Sequence, residues 1–184
     1  MFESNAAQQS AAVVTFWKEA GEKQWFAKDP DFDRRFREQF LELHLEAARG
    51  KLSRWLEFPE GALALCLLLD QFPRNAFRGT AHMYATDRLA LELADAVVSA
   101  GYDRALDPAL VLFAYLPFGH SERIADQDRS VELARRLGDD SLAHALGHRA
   151  IVARFGRFPH RNPILGRRMR PDEQRFLDEG GFAG

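Results

Sequence analysis

Two short stretches of the sequence combine an aromatic residue and a proline with basic and amide side chains. They are Phe72-Pro73-Arg74-Asn75 and Phe158-Pro159-His160-Arg161-Asn162. The planar guanidinium of arginine binds carboxylates and phosphates through two parallel hydrogen bonds, and asparagine adds neutral donors. Beside an aromatic ring, such groups suit a partly apolar ligand that carries an anionic group. The two stretches therefore predict a binding site.

Further polar residues follow or flank the same apolar segments. The candidate ligand-binding set is Asp70, Arg74, Asn75, His120, Glu122, His148, Arg157, His160, Arg161 and Asn162. Our leading hypothesis is a binding protein that holds an anionic small molecule or a peptide carboxylate, anchored by Arg74, Arg157 and Arg161. The competing interpretation is structural, because arginines that follow helices often cap carbonyl groups. In that case Asp70 and Glu122 pair with the arginines and lock the helices together.

Two other functions would use the same residues. In the enzyme alternative, His120 or His160 transfers protons beside Asp70 or Glu122, because histidine titrates near neutral pH. The run His120-Ser121-Glu122 has the residue types of a catalytic triad, but neighbours on a loop rarely face one another, and a triad is recognised by its geometry. In the third alternative the chain is a protein-interaction scaffold, which predicts an open apolar face instead of a polar pocket.

Metal binding is the least favoured chemistry. Glu122 with Asp126, and His144 with His148, are spaced i, i+4, which puts each pair on one helix face, as metal ligands require. His148 shares its face with Ile151, however, which favours a hydrogen-bonded core histidine. No metal-binding motif, nucleophile elbow, phosphate loop or cofactor fingerprint is present. We therefore predict no metal and no cofactor.

The elements that carry these residues are all predicted to be helices. Apolar residues recur at three and four positions, no segment alternates with period two, and no Asn-Gly hairpin signal is present. Asp29 and Pro30 form a cap-plus-proline helix start. The predicted helices run from Ser10 to Ala20, from Pro30 to Gly50, from Glu60 to Phe72, from Thr86 or Asp87 to Gly101, from Asp107-Pro108 to Pro117, from Ser121 to Gly138, from Ser141 to about Phe155, and over a short segment from Pro171.

Three prolines suggest a repeat. Pro73, Pro117 and Pro159 each follow an apolar helical segment and are separated by 44 and 42 residues. A period of about 40 residues that contains two helices is typical of a helical solenoid. The alternative is coincidence, since any helical protein needs helix stops. We predict an all-α fold, a helical-hairpin solenoid in a right-handed tetratricopeptide-like array of about eight helices, within a single domain over residues 1–184.

Composition limits the partners. The chain has 184 residues and a net charge of −2, so its composition does not indicate the excess of basic residues that nucleic-acid binding requires. Its longest apolar run, 62–69, is far shorter than the roughly 20 residues that span a bilayer. The segment Met1–Asn5 does not have the pattern of a signal peptide, and Cys66 is the only cysteine. We therefore expect a cytoplasmic protein with no membrane and no nucleic-acid partner, and leave its oligomeric state open.

Several stretches, taken in order, resemble a known bacterial family. They are Phe16-Trp17, residues 25–33, 69–75, 77–80 and 115–122, Asp126-Gln127 and residues 154–166. This set is similar to the proteins called "domain of unknown function 924", and it extends over nearly the whole chain. The resemblance implies a tetratricopeptide-like α-helical fold. It implies no activity, because the family has none assigned.

Overall fold

The computed structural model describes residues 2–184 of the protein, with side chains from residue 5 onward, so that Met1 of the predicted domain lies outside the described residues. Over this range the chain forms α-helices and short 3-10 or π segments and contains no β-strand, which confirms the predicted all-α class. The α-helices are α1 (Phe2–Ala20), α2 (Glu22–Trp25), α3 (Pro30–Ala48), α4 (Pro59–Cys66), α5 (Phe72–Ala76), α6 (Asp87–Ser99), α7 (Val111–His120), α8 (Ile124–Ala134), α9 (Asp139–Phe155) and α10 (Pro171–Asp178). No helix in this range is long and apolar enough to cross a membrane.

The chain divides into two compact units. The first contains the residues up to Arg78 and residues 82–117, and the second contains residues 79–81 and 118–184. Single-domain organisation over residues 1–184 stays a prediction, and the two units are described separately.

Aromatic side chains fill the core of the first unit. The predicted cap of α3 is confirmed, because the Asp29 carboxylate accepts hydrogen bonds from the backbone N–H groups of Asp31 (2.9 Å) and Phe32 (3.1 Å). Helix α3 buries Phe32, Phe36 and Phe40, which recur every four residues on one face. The Phe36 ring lies 5.4 Å from that of Trp17 and 5.1 Å from that of Phe72, between centroids. Burial of these large rings provides the main stabilisation of this unit.

The predicted helix stop at Phe72-Pro73 is wrong. Helix α4 continues through a π-turn (Leu67–Gln71) directly into α5, and Pro73 lies in the first turn of α5. Proline lacks an N–H group, so the helix loses a hydrogen bond there. Side chains replace it: His44 Nδ1 hydrogen-bonds to the Leu68 carbonyl at 2.8 Å, and the Thr86 hydroxyl donates to the Leu69 carbonyl at 2.6 Å.

The other predicted boundaries near α7 also differ from the structure. Asp107 and Pro108 precede the helix, which begins only at Val111, and Pro117 lies inside it instead of ending it. Helix α8 begins at Ile124 and not at Ser121. Two of the three prolines that suggested the repeat are therefore helical residues, and only Pro159, which opens a 3-10 turn after α9, follows a completed helix.

The second unit is built on a helical hairpin. Helices α8 and α9 pack together through Val131, Ala134 and Ala145. A second apolar cluster joins the C-terminal half of α9 to the segment after it, through Ile151, Val152, Phe155 and Phe158, with Phe176 of α10 packed against them. The second cluster fixes the position of Phe158, around which the candidate site is built.

Candidate functional site

Three members of the predicted set, Asp70, Arg74 and Asn75, belong to the first unit. Arg74 Nη1 lies 3.0 Å from Asp70 Oδ1 and 2.8 Å from Asp87 Oδ1, and it donates to the Asp70 carbonyl at 2.8 Å. Burial opposes the charge on Arg74, but the attraction of Asp70 and Asp87 outweighs it, so the pKa of Arg74 is raised. The guanidinium thus bridges two carboxylates inside the fold.

Asn75 is engaged in a similar way. Its side-chain amide donates to Asp33 Oδ1 of α3 at 2.7 Å, and Arg78 donates to both oxygens of the same carboxylate at 2.8 and 3.1 Å. In this unit the polar residues connect α5 to α3 and α6. These contacts are those expected of a structural ion-pair network.

The other seven members of the set belong to the second unit, where His120 ends α7. The last carbonyl groups of a helix have no partner within the helix. Here the buried Gln127 side chain donates to the carbonyls of Gly119 (2.8 Å) and Ser121 (2.6 Å). Gln127 therefore fixes the backbone on both sides of His120.

Phe158 is the centre of a polar and aromatic group. The His148 ring meets the Phe158 ring nearly edge-on at 5.3 Å, and the His160 ring lies 5.7 Å away. The guanidinium carbon of Arg161 lies 4.6 Å from the Phe158 ring centroid, within the range of a cation–π contact. His120 is close enough to act electrostatically on both imidazoles. We call His120, His148, His160 and Arg161 the histidine cluster.

The histidine cluster combines a charged guanidinium with partly buried imidazoles. Burial first, and then the charges of His120 and Arg161, lower the pKa of His148 to about 4, against a hydrogen bond to the Gly119 backbone. Burial, followed by the charges of Arg161 and His148, also lowers the pKa of His160 to about 4. Both imidazoles are therefore neutral at pH 7, while the Arg161 guanidinium keeps its charge.

One polar atom of the cluster is buried without a protein partner. His160 Nδ1 has no hydrogen-bond partner among the residues that the structure describes. Buried polar atoms in folded proteins are nearly always hydrogen-bonded. This nitrogen, beside Arg161, is thus positioned to bond to a group from outside the chain.

The Glu122 carboxylate connects the histidine cluster to the segment that contains Phe158 and Arg167. Its Oε1 accepts a hydrogen bond from the Phe158 backbone N–H at 2.9 Å, and Arg167 Nη1 lies 2.8 Å from its carboxylate. Burial would raise the pKa of Glu122, but the bonds from Arg167 and Phe158 and the charge of Arg161 lower it on balance. Glu122 is ionised and holds the loop that carries Phe158.

Arg157 and Asn162 converge on a residue that the sequence did not mark as central, Glu173. Arg157 donates to both Glu173 oxygens at 2.6 and 2.8 Å, and the Asn162 amide donates to Oε2 at 3.1 Å. Mainly because of the Arg157 bonds, the pKa of Glu173 is lowered to about 2. The signal available in the sequence was the helix start at Pro171, which places Glu173 in the first turn of α10.

Phe182 is the other residue that the sequence analysis missed. Its ring lies 4.7 Å from His148 and 5.1 Å from His160, between ring centroids, and 41% of the residue is exposed. It follows two glycines in a segment with no regular structure. No periodic pattern extends to this segment, so the sequence contained no signal for the contact.

The remaining chemistries have no geometric support in the described part of the chain. The Ser121 hydroxyl donates to Asp126 at 2.6 Å, while the Glu122 carboxylate is bonded to Arg167 and Phe158. Among the side chains described, no three His, Cys, Asp or Glu residues converge as a metal site. The histidine cluster, with Glu122 beside it, is therefore the candidate site.

Comparison with known proteins gives relatives but no activity. Residues 13–181 match the model of a family described as bacterial protein of unknown function (DUF924). The chain is 54% identical to a solved protein of unknown function from Agrobacterium tumefaciens, with a TM-score of 0.92 over 95% of this chain and 99% of that one. Among curated proteins, none matches.

Proposed function

Because this chain belongs to the bacterial family of unknown function DUF924, its activity has to be inferred from its own residues, and we propose that the second unit binds a small anion or a peptide carboxylate at the histidine cluster. Arg161 supplies the positive charge, and His120, His148 and His160 supply hydrogen bonds. The observation that carries the proposal is the buried, unpartnered His160 Nδ1 beside the Arg161 guanidinium.

The electrostatics favour an anion. Burial is the main cause of the lowered pKa of His148 and His160, and the positive charge of Arg161 lowers both further. That positive charge attracts an anion, and the low exposure of Arg161 strengthens the attraction. A bound anion would offset the repulsion between these groups.

The test is a thermal-shift and calorimetric titration of the full chain with acetate, inorganic phosphate and benzenesulfonate. A ligand at a hundredfold excess over its dissociation constant stabilises a fold by about 2.7 kcal/mol, which raises the melting temperature by several degrees. We expect stabilisation by at least one of the three anions and its loss in Arg161→Gln and His160→Gln.

The matched control is Arg168→Gln, which removes an exposed guanidinium from the same unit. It should leave anion binding unchanged. Because Arg161 is 7% exposed, the fold of each variant is checked by circular dichroism, and His160→Gln serves if Arg161→Gln does not fold. The proposal would be contradicted if Arg168→Gln lost anion binding to the same extent, or if none of the three anions stabilised the parent chain.

Acid–base catalysis is less well supported at this site. A histidine whose pKa is about 4, as for His148 and His160, holds a proton in only about one molecule in a thousand at pH 7. Such a group neither donates a proton readily nor accepts one strongly. Binding agrees better with these properties than proton transfer does.

The tetratricopeptide-like array belongs to the same proposal. It is supported by α8 and α9, which pack as a helical hairpin joined by residues 135–138, the unit from which such arrays are built. The positions of Pro73 and Pro117 inside helices remove the spacing argument for the array. The hairpin packing is the support that remains.

A further inference from the structure

The aromatic surroundings of the histidine cluster narrow the class of ligand. The Phe158 ring lies 5.3 Å from the ring of His148 and 5.7 Å from that of His160, between centroids. The Phe182 ring lies against the same group, at 4.7 Å from His148, 5.1 Å from His160 and 6.4 Å from Phe158. One aromatic side chain of the protein therefore already occupies a slot made by three rings.

Phe182 is less completely buried than a core residue. It is 41% exposed, whereas Phe158 beneath it is 1% exposed. Residues 181–184 have no regular secondary structure, so their backbone is not held in a helix. Partial exposure and a backbone outside regular structure are the properties of segments that open at low free-energy cost.

We infer that Phe182 is a displaceable occupant of the ligand site, and that the ligand is a small aromatic acid whose ring replaces that of Phe182 while its anionic group bonds to Arg161 and His160. The inference rests on the proposed function, because it takes the histidine cluster as the anion-binding part of the site. It adds the aromatic class of the ligand and an internal competitor for the same slot.

Two consequences are measurable. First, phenylacetate should bind more tightly than acetate, by about tenfold or more, because burial of a ring removes a large apolar area from water. Second, Phe182→Ala should increase the affinity for phenylacetate. If Phe182 fills the slot nine-tenths of the time, its removal raises the affinity about tenfold, since only the open fraction binds.

The experiment is calorimetric titration of the full chain and its variants with phenylacetate and with acetate. Leu146→Ala is the matched control, because Leu146 is an apolar residue of the same unit with 46% exposure and is not part of the ring group. It should leave both affinities unchanged. Phe182→Ser is a second variant that also removes the ring, for use if Phe182→Ala does not fold.

The outcomes separate this inference from the proposed function. If acetate binds in an Arg161-dependent manner but phenylacetate binds no more tightly, the aromatic ligand is excluded and the anion site stands. If Phe182→Ala binds phenylacetate equally or more weakly, Phe182 is not a competitor and the inference is wrong. If neither probe binds the parent chain or Phe182→Ala, this inference is wrong, and the titrations with phosphate and benzenesulfonate decide the proposed function separately.

Discussion

The Arg157 guanidinium and the Glu173 carboxylate form a two-bonded ion pair at 2.6 and 2.8 Å, and the Glu173 side chain is 0% exposed. The same carboxylate also accepts from the Arg170 backbone N–H at 2.8 Å and from the Asn162 amide. A fully buried charge is tolerated only when it is paired and hydrogen-bonded. One carboxylate therefore ties the start of α10 to the loop that carries the histidine cluster.

Replacement of Glu173 by glutamine should destabilise the protein by about 3 kcal/mol or more, because it leaves the partly buried Arg157 without its counter-charge. Urea unfolding at pH 7 measures the loss. Glu179→Gln, at an exposed position of the same segment, is the control and should change stability by less than about 0.5 kcal/mol. Equal effects of the two substitutions would show that the pair contributes nothing particular.

The stability of the protein should also decrease at acidic pH, because His148 and His160 have lowered pKa values in the folded state. Their folded pKa values of about 4 lie below the ordinary value of 6.5, so the unfolded chain binds more protons between these limits. The contribution of these two groups to stability is therefore greatest above pH 6.5 and decreases as the pH falls toward 4, by roughly 3 kcal/mol for each histidine. The charged groups around the two imidazoles are His120, His144, Arg161 and Glu122.

Unfolding measured from pH 7 to pH 4.5 tests this dependence. His148→Gln should weaken it, because the substituted side chain no longer takes up a proton on unfolding. His144→Gln is the control, since His144 lies on the same helix one turn away and is exposed. A pH dependence that is the same in the parent chain and in His148→Gln would contradict the assignment.

Anion affinity should depend on pH in the opposite direction. Bound negative charge favours the protonated form of His148 and His160, so affinity increases as the pH falls from 7 toward 5. Benzenesulfonate is a suitable probe, because its own charge does not change in this range. Titration calorimetry at pH 7, 6 and 5 should show this increase, and His148→Gln should show a smaller one.

Arg74 is expected to be a structural residue. Arg74→Ala removes the guanidinium between Asp70 and Asp87 and leaves the buried Asp70 carboxylate without that counter-charge, at a cost of about 3 kcal/mol. Anion binding at the histidine cluster should persist in this variant. The control is Arg88→Ala, whose side chain is 90% exposed. If Arg74→Ala is stable but no longer binds anions, the anion site lies in the first unit and not at the histidine cluster.

Thr86 should contribute through its bond to the Leu69 carbonyl. Thr86→Val keeps the shape of the side chain but leaves that buried carbonyl without the hydroxyl, which costs about 1 to 3 kcal/mol. Thr15→Val, at an exposed position of α1, is the control for the same chemical change. The difference in unfolding free energy between the two variants isolates the contribution of the carbonyl bond. Equal losses would mean that the bond is not needed.

Local signals in the sequence were sufficient for most helices. The Asp29 cap, Pro30 and the phenylalanine stripe of α3 act through neighbours a few residues away, so they are visible in the sequence. The stops predicted at Pro73 and Pro117 failed for the opposite reason. At Pro73 the carbonyls near the proline are bonded by His44 and Thr86, which lie far away in the chain.

The sequence predicted which residues belong to the candidate site better than it predicted which residues contact one another there. The sequence marked His148, His160 and Arg161, and the structure gathers them around Phe158. The role of Glu173 depends on its ion pair with Arg157, and the role of Phe182 depends on the contacts that an irregular segment makes with His148 and His160. These contacts do not follow from the spacing of residues in the sequence, so the sequence could not predict them.

The π-turn at Leu67–Gln71 also sets the angular phase of the residues that follow it. A π-turn takes up one residue more than an α-helical turn, because its hydrogen bonds join residues five apart and not four. Each residue of an α-helix advances by about 100°, so the same residues wound as a regular α-helix would rotate Arg74 and Asn75 by about that angle about the helix axis. Arg74 would then point away from Asp87, and Asn75 away from Asp33, although no side chain of the network had been altered. The wider turn is therefore as strict a requirement of this network as the identity of the residues that form it.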